Sequence, residues 1–353
     1  LLVNRKEMVR HIFTGALLLL SIMAKAQTQV TEFNPGTVAE GVNYYLPKTT
    51  INVLVEAQKV VYTPGEFARY AERFLHVPNV IQQESVKWEI TKLSVYTEGE
   101  PDKDKCYTIK MKDKSSASNV QLTKKGILAC INTPYKEEPK PEPTERSTSN
   151  RLDYKQYLTG DILNASSTAK MAELTAQEIF DIRDSKNALK RGEVESMPKD
   201  GATMKIMLDE LDRQEKALMQ MFTGYTDTIA SAKTYSCLPS GSLDKEVFFR
   251  FSSKLGLVDA DDLSGEAFYI TINDQKSVNL PETDAKRKIQ GVVYNMPSMA
   301  DVRIFSSTKT LYQKELPIAQ FGTVDVLNYA LFNKGAAPKI AFNVATGALL
   351  WIE

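Results

Sequence analysis

Apolar residues recur at every second position in short runs of this 353-residue chain, on either side of one long stretch of helical spacing, Thr168 to Gly224. Period 2 lines one face of a strand and period 3.6 lines one stripe of a helix. A chain patterned this way is α+β: β-rich N-terminal and C-terminal domains, sandwich or meander, with a central antiparallel helical hairpin.

From Thr49 to Tyr62 the alternation of Ile51, Val53, Val55 and Ala57 predicts a half-buried strand. Thr63-Pro64-Gly65-Glu66 then reads as a helix start, with Thr63 as N-cap and Glu66 reaching back in a capping box. Phe67, Tyr70, Ala71, Phe74 and Leu75 form one apolar stripe, ending near His76 ahead of Pro78. Val86, Trp88 and Ile90 change parity to Leu93 and Val95, which means a β-bulge near Thr91 or Lys92, or two separate strands.

Tyr107, Ile109 and Met111 alternate, as do Ile127, Ala129 and Ile131, and the pair reads as a hairpin around Asp113 to Asn119. With its centre near Ser118, Cys106 and Cys130 fall opposite one another, where a disulfide contributes about 3 kcal/mol. A slip of one residue separates them onto opposite faces, and two small buried hydrophobes are the alternative.

Tyr135 to Asn150 is rich in Pro, Glu, Lys, Ser and Thr, the composition of a linker or long exposed loop. Thr168 to Arg191 forms the first long helix; Asp200 caps the second, which carries Met204, Leu208, Leu211, Leu218 and Phe222 and ends at Gly224. Its methionines, Met204, Met207, Met219 and Met221, read as core before they read as a partner-binding face. Strands resume at Val247, Phe268 and Val302, and a final core hairpin turns at Ala345-Thr346-Gly347. The organisation expected is 1–26 leader, 27–135 β-rich domain with one short helix, 136–150 linker, 151–228 helical hairpin and 229–353 β-rich domain.

Arg5, Lys6 and Arg10, an apolar run from Ile12 to Met23, and Ala24-Lys25-Ala26 have the three zones of a secretory signal peptide. The run is short of the roughly 18–20 residues that cross a bilayer, so no membrane span is expected after cleavage. Lys+Arg and Asp+Glu are balanced at 44 each. Loss of the leader makes the charge slightly negative, which argues against nucleic acid as a partner.

Candidate chemistry is sparse. Beyond the leader the one histidine is His76, which excludes a two-histidine zinc site. A thiol nucleophile would pair it with Cys237, and nothing in the sequence joins them. Ser167-Thr168-Ala169-Lys170 has Ser-x-x-Lys spacing but reads as an N-cap. Asp259, Asp261, Asp262 and Glu266 read as a solvated acidic turn before a calcium loop. Tyr44, Tyr45, Trp88 and Trp351 have the chemistry to stack on sugar rings, although aromatics on alternating strands more often face a core. No catalytic residue, cofactor or metal site is assigned.

Six strings carry a family resemblance: Gly41 to Lys48, Tyr62 to Glu72, Asp209 to Glu215, Phe249 to Ser252, Ala319 to Gly322 and Phe342 to Leu349. Together they resemble an uncharacterised domain-of-unknown-function family of exported Bacteroidetes proteins. The resemblance implies no activity; it implies a Gram-negative envelope, with periplasm preferred and outer-membrane association or release as alternatives. In that lineage Asp227-Thr228-Ile229 resembles an O-glycosylation sequon, which makes Thr228 an expected modification site in a surface turn. The role expected is a non-enzymatic binding or scaffolding protein with an envelope protein or a glycan as partner; a hydrolase acting on glycan or peptide through paired carboxylates is the alternative.

Overall fold

The computed structural model describes residues 29–32, 41–110, 119–144, 146–195, 197–198, 200–278, 291–332 and 337–353. The leader, and Met111 with most of the loop after it, lie outside them. The spine is an antiparallel pair, β2 (Val42–Thr63) and β3 (Ser85–Lys110), in register from Val42 opposite Ile109 to Tyr62 opposite Ser85. Short β1 (Gln29–Glu32) pairs with the outer edge of β3. Glu56 faces Lys92 and Ala57 faces Ile90, so Thr91 is the extra residue of a bulge, and β3 is a single strand. The bulge keeps Ile90, Leu93 and Val95 on one core despite their change of parity.

The remaining elements are β4 (Val120–Leu122), β5 (Leu128–Ile131), β6 (Thr148–Ser149), β7 (Tyr225–Cys237), β8 (Leu243–Ser252), β9 (Gly256–Val258), β10 (Glu266–Asp274), β11 (Gly291–Phe305), β12 (Thr310–Asn328), β13 (Ile340–Phe342) and β14 (Leu349–Ile352), with helices α1 (Ala71–Leu75), α2 (Gly160–Leu163), α3 (Thr168–Arg191) and α4 (Gly201–Thr223). Three sheets result, ordered β1-β3-β2-β7-β6, β12-β11-β10-β8-β9 and β14-β13-β5-β4. The fold is α+β, with β-rich regions on either side of a central pair of long helices.

The first two sheets form a sandwich. Ile51, Val53 and Val55 of β2 share its core with Phe249 of β8, Phe268 and Ile270 of β10, and Val302 and Ile304 of β11. Phe249 and Phe268 stack there at 4.7 Å. At one end of the spine Tyr44, Leu46, Tyr107 and Ile109 share a second core with β5, β11 and β13. At the other, Phe67, Ala71 and Leu75 pack against α3 and α4. One long strand pair therefore runs through two cores, and the connection between its strands enters a third.

α3 and α4 follow the spacing closely. Ser167 Oγ accepts from Lys170 N–H at 3.2 Å, and Asp200 Oδ1 accepts from Thr203 N–H at 2.8 Å, so both N-caps are made. Gly224, at φ 72°, ends α4, and the chain enters β7 directly. Met221 is core and Met219 lies at its margin, whereas Met207 is exposed.

Three expectations are corrected. Thr63 caps no helix: it is the last residue of β2, paired with Tyr225, and α1 begins only at Ala71 after a 3-10 turn. Glu66 instead accepts the Tyr154 hydroxyl at 2.7 Å. Tertiary pairing with β7 keeps the chain extended past a local helix signal. The Tyr107 and Ile127 strands do not pair as a hairpin either, since β3 lies between β1 and β2 while β5 lies between β4 and β13. Finally, β2 is buried on both faces along its middle, Asn52, Leu54 and Glu56 included. Its outer face lies against the segment expected to be a linker.

Candidate functional site

That segment is extended and mostly exposed, yet it is tied down along its length. Tyr135 N–H donates to Gln121 Oε1 at 2.6 Å, and Lys140 pairs with Glu98 at 2.5 Å. Thr144 donates its N–H at 2.7 Å and its hydroxyl at 3.0 Å to Oε2 of the buried Glu56. Ser147 then accepts Ala230 N–H at 3.0 Å, and Thr148 enters β6 against Thr228. The segment is a strap across the outer face of the spine.

Between this strap and the carboxyl-terminal hairpin lies a groove of about 620 Å³. Its floor follows from register: Cys130, Ala341 and Trp351 are successive partners across β5, β13 and β14, so they share one face of that sheet. The other face sends Ile131, Ile340 and Phe342 into the core. Tyr135 packs over Cys130 and Ala341, while Trp351 keeps 43% of its surface exposed. Around the rim three charge pairs form, Lys140 with Glu98, Lys124 with Glu137 and Lys125 with Glu100, beside Lys136 and Glu138. The hydrogen bond to Glu98 raises the Lys140 pKa. Burial, followed by the nearby Glu137 carboxylate, raises that of Tyr135.

A second groove, of about 410 Å³, opens where the lower end of β3 meets β8 and β10. Trp88 stands in it over Gly256, where an added Cβ would come within 2.8 Å of the indole, so only glycine fits beneath the ring. Both tryptophans of the chain thus line grooves, and the expectation that such aromatics face a core holds for Tyr44 and fails for Trp351.

The other singled-out residues are dispersed. Cys106 lies opposite Tyr45, whereas Cys130 lies opposite Gln121 and Ala341 in a different sheet, and neither is in a disulfide. Thr228 lies within β7 rather than in a turn, with its hydroxyl 2.7 Å from that of Thr148. His76 is exposed at the end of α1 with φ 56°. Cys237 packs against the sandwich core at the end of β7 remote from the helices, and burial raises its thiol pKa, the wrong direction for a nucleophile. Lys170 pairs with Glu173. Asp259 pairs with Lys233, and Asp262 accepts Ser264 N–H within a turn. Among the described residues, no three His, Cys, Asp or Glu side chains are grouped to hold a metal, and no helix is long and apolar enough to cross a membrane.

The six strings of the resemblance prove to be structural joints. Tyr44 hydroxyl bonds Val293 on both its N–H and its carbonyl, Gln320 pairs with the backbone of Thr49, and Asn295 Nδ2 donates to Pro47 and Thr346. Phe67 N–H donates to Met221, Phe249 fills the sandwich, and Asp212 and Glu215 clamp Lys186 between the helices. A family model described as a domain of unknown function, DUF4831, matches residues 40–350, and so takes in every one of these joints. The chain belongs to the DUF4831 family. No curated protein and no solved structure matches it. In this DUF4831 protein the joints hold the sheets and helices together, while the strap and the exposed Trp351 side chain lie at the first groove. Sequence reasoning missed Tyr135 and the strap because their composition resembles that of unstructured linkers; the signal available was the single aromatic at the head of a polar tract.

Proposed function

We propose that this DUF4831 protein is an exported Bacteroidetes envelope protein, retained in the periplasm, that binds or scaffolds a partner rather than transforming it. The leader pattern and the resemblance to exported proteins support the location. The observation that carries the binding reading is the Trp351 groove: a large exposed indole on a floor of small side chains, walled by a fixed strap. Sites of roughly 300–1,000 Å³ with aromatic lining and a few polar groups are typical of ligand binding.

The hydrolase reading draws less support. Of the three carboxylates lining the groove, two are committed to lysines, Glu98 to Lys140 and Glu137 to Lys124. Among the described residues the carboxyls whose ionisation the fold shifts, Asp200, Asp212, Glu215 and Asp262, move down, whereas a general acid needs its pKa raised.

Capture from host envelope fractions on immobilised wild-type chain and on its Trp351→Ala variant tests the proposal. A stoichiometric protein or glycan retained by the wild type and lost from the variant is expected. Nothing retained, or equal retention by both, would contradict it.

A further inference from the structure

We infer that the ligand of the Trp351 groove is a neutral saccharide chain, an inference that rests on the binding reading above. The floor of the groove is the face of a sheet whose N–H and carbonyl groups bond from strand to strand and lie open only along the outer edge of β14. The strap wall carries Pro134, Pro139 and Pro141, which have no N–H to offer. A peptide laid across this floor would lose water from its backbone without a strand-like row of partners beneath it. A saccharide has different needs. Its C–H faces pack on aromatic rings, supplied by Trp351 with Tyr135 and Tyr96, and its hydroxyls accept hydrogen bonds from ammonium groups and donate them to carboxylates, both of which line the rim. Because three of its lysines are paired with glutamates and Lys136 is offset by Glu138, the groove presents little net field for an acidic polymer, and neutral sugars match it best.

The test is a printed array of neutral and acidic oligosaccharides probed with the full chain, with calorimetric titration of each hit. Neutral hits are expected, weakened at least tenfold by Trp351→Ala, held within a few-fold by Trp351→Phe, and unchanged by Ile206→Ala on the exposed face of α4. An empty array, hits confined to acidic sugars, or hits indifferent to Trp351→Ala would overturn the saccharide. If the array is empty while envelope capture still depends on Trp351, the groove stands as a binding site and the ligand class falls. Binding of an extended peptide that Trp351→Ala leaves intact would instead place the ligand on the open edge of β14.

Discussion

Tyr44 sits where β2 meets β11, and its hydroxyl takes the place of a neighbouring strand. It donates to the Val293 carbonyl at 3.1 Å and accepts the Val293 N–H at 2.9 Å, in a fully buried position. Burial pushes its pKa well above the usual tyrosine range, so it stays a neutral donor. Tyr44→Phe keeps the ring and orphans two buried backbone groups, and should destabilise the fold by about 1–3 kcal/mol in chemical denaturation with an unchanged m-value. A smaller loss would mean that water or a backbone shift satisfies Val293. The sequence ranked Tyr44 with Tyr45, Trp88 and Trp351 as one class of aromatic. Only contacts 249 residues away in the chain distinguish it, and those follow from tertiary pairing rather than from local pattern.

Among the elements, those with a complete local signal were legible. α3 and α4 have their caps and stripes in sequence, and the parity change at Thr91 marked the bulge. The capping box at Thr63 misled because β7 competes for the same residues, and the strap misled because proline-rich polar chain is ordered here by partners such as Glu56, remote in sequence. Between the helices, Glu215 meets Arg183 at 2.6 Å and Lys186 at 2.5 Å. Burial pushes the Glu215 carboxyl up, and these two hydrogen bonds more than offset it, so its pKa falls below the ordinary 4.5. A depressed carboxyl contributes stability that is present above pH 4.5 and lost as pH falls through the lower folded value. Thermal melts followed by helical circular dichroism should therefore show a midpoint that drops in acid. Glu215→Gln should lower the midpoint at neutral pH and flatten that acid limb; an acid limb of undiminished steepness would assign it to other carboxyls.

For the whole molecule, the β-rich regions before and after the helices were legible as regions but not as sheets. β7, after the helices, pairs along β2, and β13 from the carboxyl-terminal hairpin pairs with β5. Long-range pairing of this kind leaves no periodic trace, and the groove exists only because of it: Trp351 and Cys130 share a sheet face across 221 positions of sequence. On the function proposed above, this composite groove is where the protein meets its ligand. Hydrogen exchange of the full chain with and without the captured ligand tests it directly. Slowed exchange is expected at 96–99, 135–140 and 341–351, with the helical pair unchanged; protection centred on α4 near Ile206, or on Trp88, with none around Trp351, would contradict binding in the groove.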